Sequence, residues 1–63
     1  MMTKRSLLKR GYAVKYGSPG WWVDGAFGYL VAGYYPTEDL AVLEAGKAIA
    51  QAKAAGRNPA WLL

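Results

Sequence analysis

The sequence predicts an α+β fold, a three-stranded antiparallel β-meander packed against one C-terminal α-helix. Three observations predict it. Residues 11–35 concentrate Tyr, Trp and Val, side chains that suit a pleated, half-buried surface. Two turn signals, Gly17-Ser18-Pro19-Gly20 and Asp24-Gly25, divide that span into three short runs. After Pro36 the composition turns to alanine behind a Thr37-Glu38-Asp39 start, the pattern of a capped helix.

The elements follow in order. Lys4, Arg5, Lys9 and Arg10 are half of the eight basic residues, so residues 1–10 read as a basic N-terminal arm. Such an arm is solvated and frayed unless it meets phosphates or an acidic protein. Residues 11–63 read as a single domain, with a short tail from residue 57. Gly11–Gly17 is the first strand, with Tyr12, Val14 and Tyr16 on one face and Ala13 and Lys15 on the other. Trp21–Asp24 is the second, with Trp21 and Val23 opposed to Trp22 and Asp24. Asp24-Gly25 is the strongest hairpin signal in the chain. Gly28–Tyr35 is the third strand, and alternation separates Tyr29, Val31, Gly33 and Tyr35 from Leu30, Ala32 and Tyr34.

Thr37 is a good N-cap, and Glu38 and Asp39 set negative charge on the positive end of the helix dipole. The helix should run to about Ala55, with Gly56 as its C′ residue and Pro59 beyond it. Ala41, Val42, Ala45, Ala48, Ile49, Ala52 and Ala55 fall on one stripe. Small residues there let the helix lie close to the sheet, whose aromatics fill the space. Leu40 and Leu43 fall off the stripe, and Trp61, Leu62 or Leu63 of the tail is the natural cover for them.

The composition excludes much chemistry. With 63 residues the chain has a thin core, and it has neither Cys nor His. Disulfides, ordinary zinc, haem and iron–sulfur sites are therefore not expected, and no cofactor or metal is assigned. A hydrolytic triad lacks its base. Asp24, Glu38, Asp39 and Glu44 form no obvious acid–base pair, and Gly17–Gly20 lacks the Lys-Ser/Thr sequel of a phosphate loop. A non-enzymatic protein is expected. The uncharged run 26–35 is too short to span a membrane as a helix, and MMTKRSLLKRGY has no apolar signal core. That points to a cytoplasmic protein without a membrane partner.

A sheet covered on one side leaves its other face open. If Trp21 and Val23 face the helix, Trp22 joins Lys15 on the open face, with Tyr34 or Tyr29 from the third strand. Aromatics of large area and few rotamers are what binding hot spots use. Trp22, Lys15, Tyr29 and Tyr34 are the candidate partner-binding residues, and a second copy of the chain is a further possible occupant.

The segment VAGYYPTEDLAVLEAGKAIAQAKAAGRNPAWL resembles the strand-to-helix segment of plant ethylene-response (Apetala-type) DNA-binding domains, and related three-stranded modules stand at the N-terminus of phage-type integrases. The shared features are Gly33, Tyr35, Thr37, Glu38, Asp39, Ala41, Ala48 and Asn58. The resemblance implies the same fold and a DNA partner. The family reads DNA with arginines and tryptophans on the open sheet, whereas these strands carry one cation, Lys15, and no Arg. In style, a short Cys-free aromatic-rich domain is also similar to the small proteins with which phages block host machinery, anti-CRISPR proteins among them. That likeness implies a host protein or nucleoprotein complex as partner. Inhibition of a host nucleic-acid-handling complex is the leading expectation. DNA binding through sheet and basic arm is the second, and a structural homo-oligomer the third.

Overall fold

The structure, a computed structural model, describes residues 2–63. Its elements are α1 (Lys4–Lys9), β1 (Ala13–Tyr16), β2 (Trp21–Asp24), a 3-10 turn (Ala26–Gly28), β3 (Leu30–Tyr35) and α2 (Glu38–Ala54). The strands pair antiparallel in the order β1-β2-β3, and α2 follows as the C-terminal helix. The expected meander and helix are there, and α1 is an addition to them.

Helix α1 occupies the segment expected to be a basic arm, whose first residue, Met1, lies outside the described residues. Six residues do not hold a helix in water by themselves. Two features hold this one. The Thr3 hydroxyl accepts a hydrogen bond from the Ser6 backbone N–H at 3.2 Å, capping the first turn. Leu7 is 0% exposed and joins one core with Tyr12, Val23, Ala41, Ala45 and Ile49. Burying a leucine stabilises by about 1.5–3 kcal/mol. The core's bulk therefore comes from α1 as well as from the sheet.

Cross-strand pairing fixes the two faces of the sheet. Val14, Val23 and Ala32 stand opposite one another and face the core. Trp21 and Tyr35 form the next inward row; Tyr16 pairs with Trp21, its ring 4.7 Å away between centroids, but stays 69% exposed at the edge of the sheet. Strand β3 follows neither of the two alternating sets read from the sequence. Two register shifts leave Val31 and Tyr34 without a Cα partner on β2. Each is an extra residue that rephases the strand. Ala32 and Tyr35 therefore point inward, while Leu30 pairs with Asp24 and Gly33 with Trp22 on the outer side.

Helix α2 starts and stops where its sequence signals stand. The Thr37 hydroxyl accepts from the Leu40 N–H at 3.2 Å. At the far end the Arg57 N–H donates to the Ala52 carbonyl and the Gly56 N–H to that of Lys53, with Gly56 at φ 67°. That is the Schellman arrangement, and its left-handed residue is best a glycine. Ala41, Val42, Ala45, Ile49 and Ala52 are buried, whereas Ala48 is half-buried and Ala55 exposed.

Two sequence expectations need correction here. Asp24-Gly25 does not make a two-residue hairpin turn. Residues 25–29 connect β2 to β3 through the 3-10 turn, closed by the Gly25 N–H donating to the Tyr29 carbonyl at 2.8 Å. Gly25 is glycine because a Cβ there would collide with the Trp61 carbonyl. The tail, moreover, does not cover Leu40 and Leu43. It turns at Gly56 and runs to the end of the sheet, where the Ala26 N–H donates to the Trp61 carbonyl at 2.8 Å and the Leu63 N–H to the Tyr12 hydroxyl at 3.0 Å. Leu43 instead shares a shallow groove with Met2 from the other end of the chain, and both leucines stay partly exposed.

Gly33 and Gly28 give a paired test. Both hold positive φ, 155° and 77°, but a Cβ on Gly33 would lie 2.5 Å from the Trp22 Cβ, whereas one on Gly28 would meet nothing within 4 Å. Gly28→Ala should cost about 1 kcal/mol from backbone strain, and Gly33→Ala about 2–4 kcal/mol from strain and clash together. Urea unfolding of the two variants measures the difference.

Candidate functional site

The side of the sheet away from α2 carries two rows. Ala13, Asp24 and Leu30 form one; Lys15, Trp22 and Gly33 form the other. The extra residue Tyr34 lies against Trp22, with ring centroids 5.1 Å apart and planes at 57°. Glycines on both flanks make room for Trp22. Gly33 lies under its Cβ, and a Cβ on Gly17 would stand 3.1 Å from the indole ring. The indole is thus held in one place while remaining half-exposed. Held aromatics lose little entropy on binding.

Lys15 reaches diagonally along this face, and its Nζ lies 3.2 Å from the Asp24 Oδ2. The lysine is exposed and the carboxylate mostly covered. With the lysine end open to solvent, the pair adds little stability, about 0–1 kcal/mol. Its larger consequence is electrostatic, because the one cation of the strands is neutralised on the face it occupies.

Of the four residues singled out from the sequence, Trp22, Lys15 and Tyr34 come together on this face. Tyr29 does not lie in a strand. It follows the 3-10 turn at the end of the hairpin, with its side chain exposed. The four basic residues also separate. Lys4 pairs with Glu38 at 3.2 Å, while Arg5, Lys9 and Arg10 remain exposed on α1 and its C-cap. Because Leu7 enters the core between sheet and α2, these cations approach from the covered side of the sheet.

Phe27 is the residue that sequence reasoning left unplaced. It is 94% exposed at the middle of the β2–β3 connection, in a left-handed conformation (φ 58°, ψ 20°). A bulky side chain there costs about 1–2 kcal/mol of backbone energy, and Phe27 recovers none of it by burial. The available signal was its setting in Gly25-Ala26-Phe27-Gly28, a lone aromatic in a turn with no apolar periodicity around it. The loop that presents it is pinned, since Gly25 and Ala26, the two residues before Phe27, are tied by the bonds to Tyr29 and Trp61 described above. Phe27, Tyr29, Leu30 and Tyr34 thus expose large apolar surface along one eight-residue stretch of hairpin.

Among the described residues no three of Asp, Glu, His or Cys converge in a manner that could hold a metal. Asp24, Glu38 and Glu44 each lie beside a lysine. No family model, no curated protein and no solved structure matches this chain. Among the described residues no helix is long and apolar enough to cross a membrane.

Two substitutions separate the roles of adjacent residues. Trp21 packs against the core, so Trp21→Ala should cost about 3 kcal/mol or more. Trp22→Ala should cost about 1 kcal/mol, the scale of one aromatic pair. Phe27→Asn should hold or raise stability by up to about 1 kcal/mol, because Asn tolerates the left-handed region and no packing is lost. Thermal melts at several protein concentrations decide all three.

Proposed function

We propose that this protein is a non-catalytic binding protein that recognises another protein through the outer side of its hairpin. Trp22 and Tyr34 are the sheet anchors, and Phe27 is the anchor at the tip. The observation that carries the reading is the exposed Phe27, held in a costly backbone conformation with nothing in the fold to bury it. Strain retained at an exposed aromatic is a mark of function rather than of folding. Aromatic anchors with a polar rim are the composition of a protein–protein hot spot.

The same face argues against reading a nucleic acid. Recognition of guanine uses a free, bidentate cation, and Lys15 is committed to Asp24. The likeness in style to phage-encoded inhibitors extends the proposal. The partner is then a host complex that handles nucleic acid, blocked in the cytoplasm, where a chain without cysteine is at home.

Affinity capture from lysate followed by titration of the captured partner tests this. Phe27→Asn and Trp22→Ala should each weaken binding by about 2 kcal/mol or more while the fold is retained. Affinity should change little between about 0.05 and 0.5 M salt, as for a largely apolar contact. A partner that binds both variants as tightly as the parent chain overturns the proposal. Loss of self-association in those variants, with no other partner, assigns the surface to a homo-oligomer instead.

A further inference from the structure

We propose that the outward ridge of α1, formed by Arg5 and Lys9 with Arg10 beside them, is a second binding surface that takes the phosphate backbone of nucleic acid. It is independent of the aromatic hairpin. The charges of the chain point to it. There are eight basic residues and four acidic ones. Three ion pairs, Lys4–Glu38, Lys15–Asp24 and Lys47–Glu44, use three of each. Among the described residues Arg5, Lys9, Arg10, Lys53 and Arg57 then stand outside any ion pair, and three of those five belong to α1 and its C-cap.

The helix is arranged against its own stability. At about 100° per residue, Arg5 and Lys9 project together, opposite the buried Leu7. Like charges four residues apart are mutually destabilising. The first turn of α1 has no acidic residue of its own, and its one neighbouring carboxylate, Glu38, is taken by Lys4, so Arg5 also stands near the positive end of the helix dipole. An anion lying along the ridge relieves both penalties.

The surroundings select the kind of anion. A membrane needs an apolar face to insert, and that of α1 is used up in the core through Leu7. A protein interface needs an apolar centre, and Leu8 alone is exposed beside the ridge. What remains suits a uniform polyanion, and the guanidinium fork matches phosphate oxygens. No element of α1 is shaped to read base edges, so the contact is with the backbone and is independent of sequence.

The test uses the full chain and fluorescein-labelled duplexes of mixed sequence, in DNA and RNA, followed by fluorescence anisotropy over a salt series. Binding should weaken with salt with a slope of about −2 to −3 on logarithmic axes, as for two to three phosphate contacts. Arg5→Glu is the sharpest variant. It places a Glu four residues ahead of Lys9, the favoured order on a helix, so the melting temperature should hold or rise while affinity falls by roughly tenfold or more. Arg5→Gln with Lys9→Gln should reduce the slope by about 2. Lys53→Gln with Arg57→Gln should change affinity much less, and Phe27→Asn and Trp22→Ala not at all, so this proposal and that for the hairpin fail separately. A flat salt response, or parental affinity in Arg5→Glu, overturns it. Displacement of the duplex by polyglutamate at equal charge, or tighter binding to phosphatidylserine vesicles, overturns nucleic acid as the occupant.

Discussion

The close approach of α2 to the sheet governs the rest of this molecule. The buried stripe of α2 is Ala41, Val42, Ala45, Ile49 and Ala52, so the helix brings little bulk of its own. The space above the sheet is filled from elsewhere, by Leu7 of α1, by Tyr12, and by the inward row of Trp21 and Tyr35, with Trp61 from the tail. This is why a six-residue helix forms at the N-terminus and why the tail folds across to Tyr12 and Ala26. Each supplies apolar area that the alanine stripe lacks. In a chain of 63 residues that area is scarce, since small domains hide a lower fraction of their surface.

The same constraint defines what is left over. Both helices lie on one side, so the sheet keeps an outer face. The two extra residues in β3 then matter. By rephasing the strand they turn Ala32 and Tyr35 inward and carry Tyr34 out against Trp22. Lys15 and Asp24 neutralise each other on the same face. The outer side of the hairpin is therefore aromatic, nearly uncharged and held in place, while unpaired positive charge collects on α1. Two surfaces of opposite chemical character lie on different sides of one small domain. A chain that engages both a protein and the nucleic acid bound to it has use for that separation.

Much of this was legible in the residues. Turn chemistry at Gly17–Gly20, the Thr37 cap and the Gly56 stop each act locally, so their sequence signals carried the element boundaries. The pairing of Trp22 with Lys15 followed from strand alternation. What escaped depends on long-range contacts. Helix α1 rests on the burial of Leu7, and nothing within residues 4–9 announces that partner. Gly25 looked like a turn glycine but serves the passage of the Trp61 carbonyl, a segment 36 positions later in the chain. The face of Tyr34 depends on bulges that period-two alternation cannot contain. Phe27 was missed because an exposed aromatic in a turn obeys no folding pattern at all.

The central claim is that the outer aromatics serve recognition and the inner layer alone holds the fold. It is tested most directly by urea unfolding of one variant carrying Phe27→Asn, Tyr29→Thr and Tyr34→Thr together, at several protein concentrations. Exposed side chains contribute within about 0.5 kcal/mol each, and the Trp22–Tyr34 pair about 0.5–1.5. The variant should therefore unfold in one cooperative, concentration-independent transition, less stable than the parent by under about 2 kcal/mol. A loss above about 3 kcal/mol, or the disappearance of a cooperative transition, would show that the outer aromatics hold the fold and contradict the account.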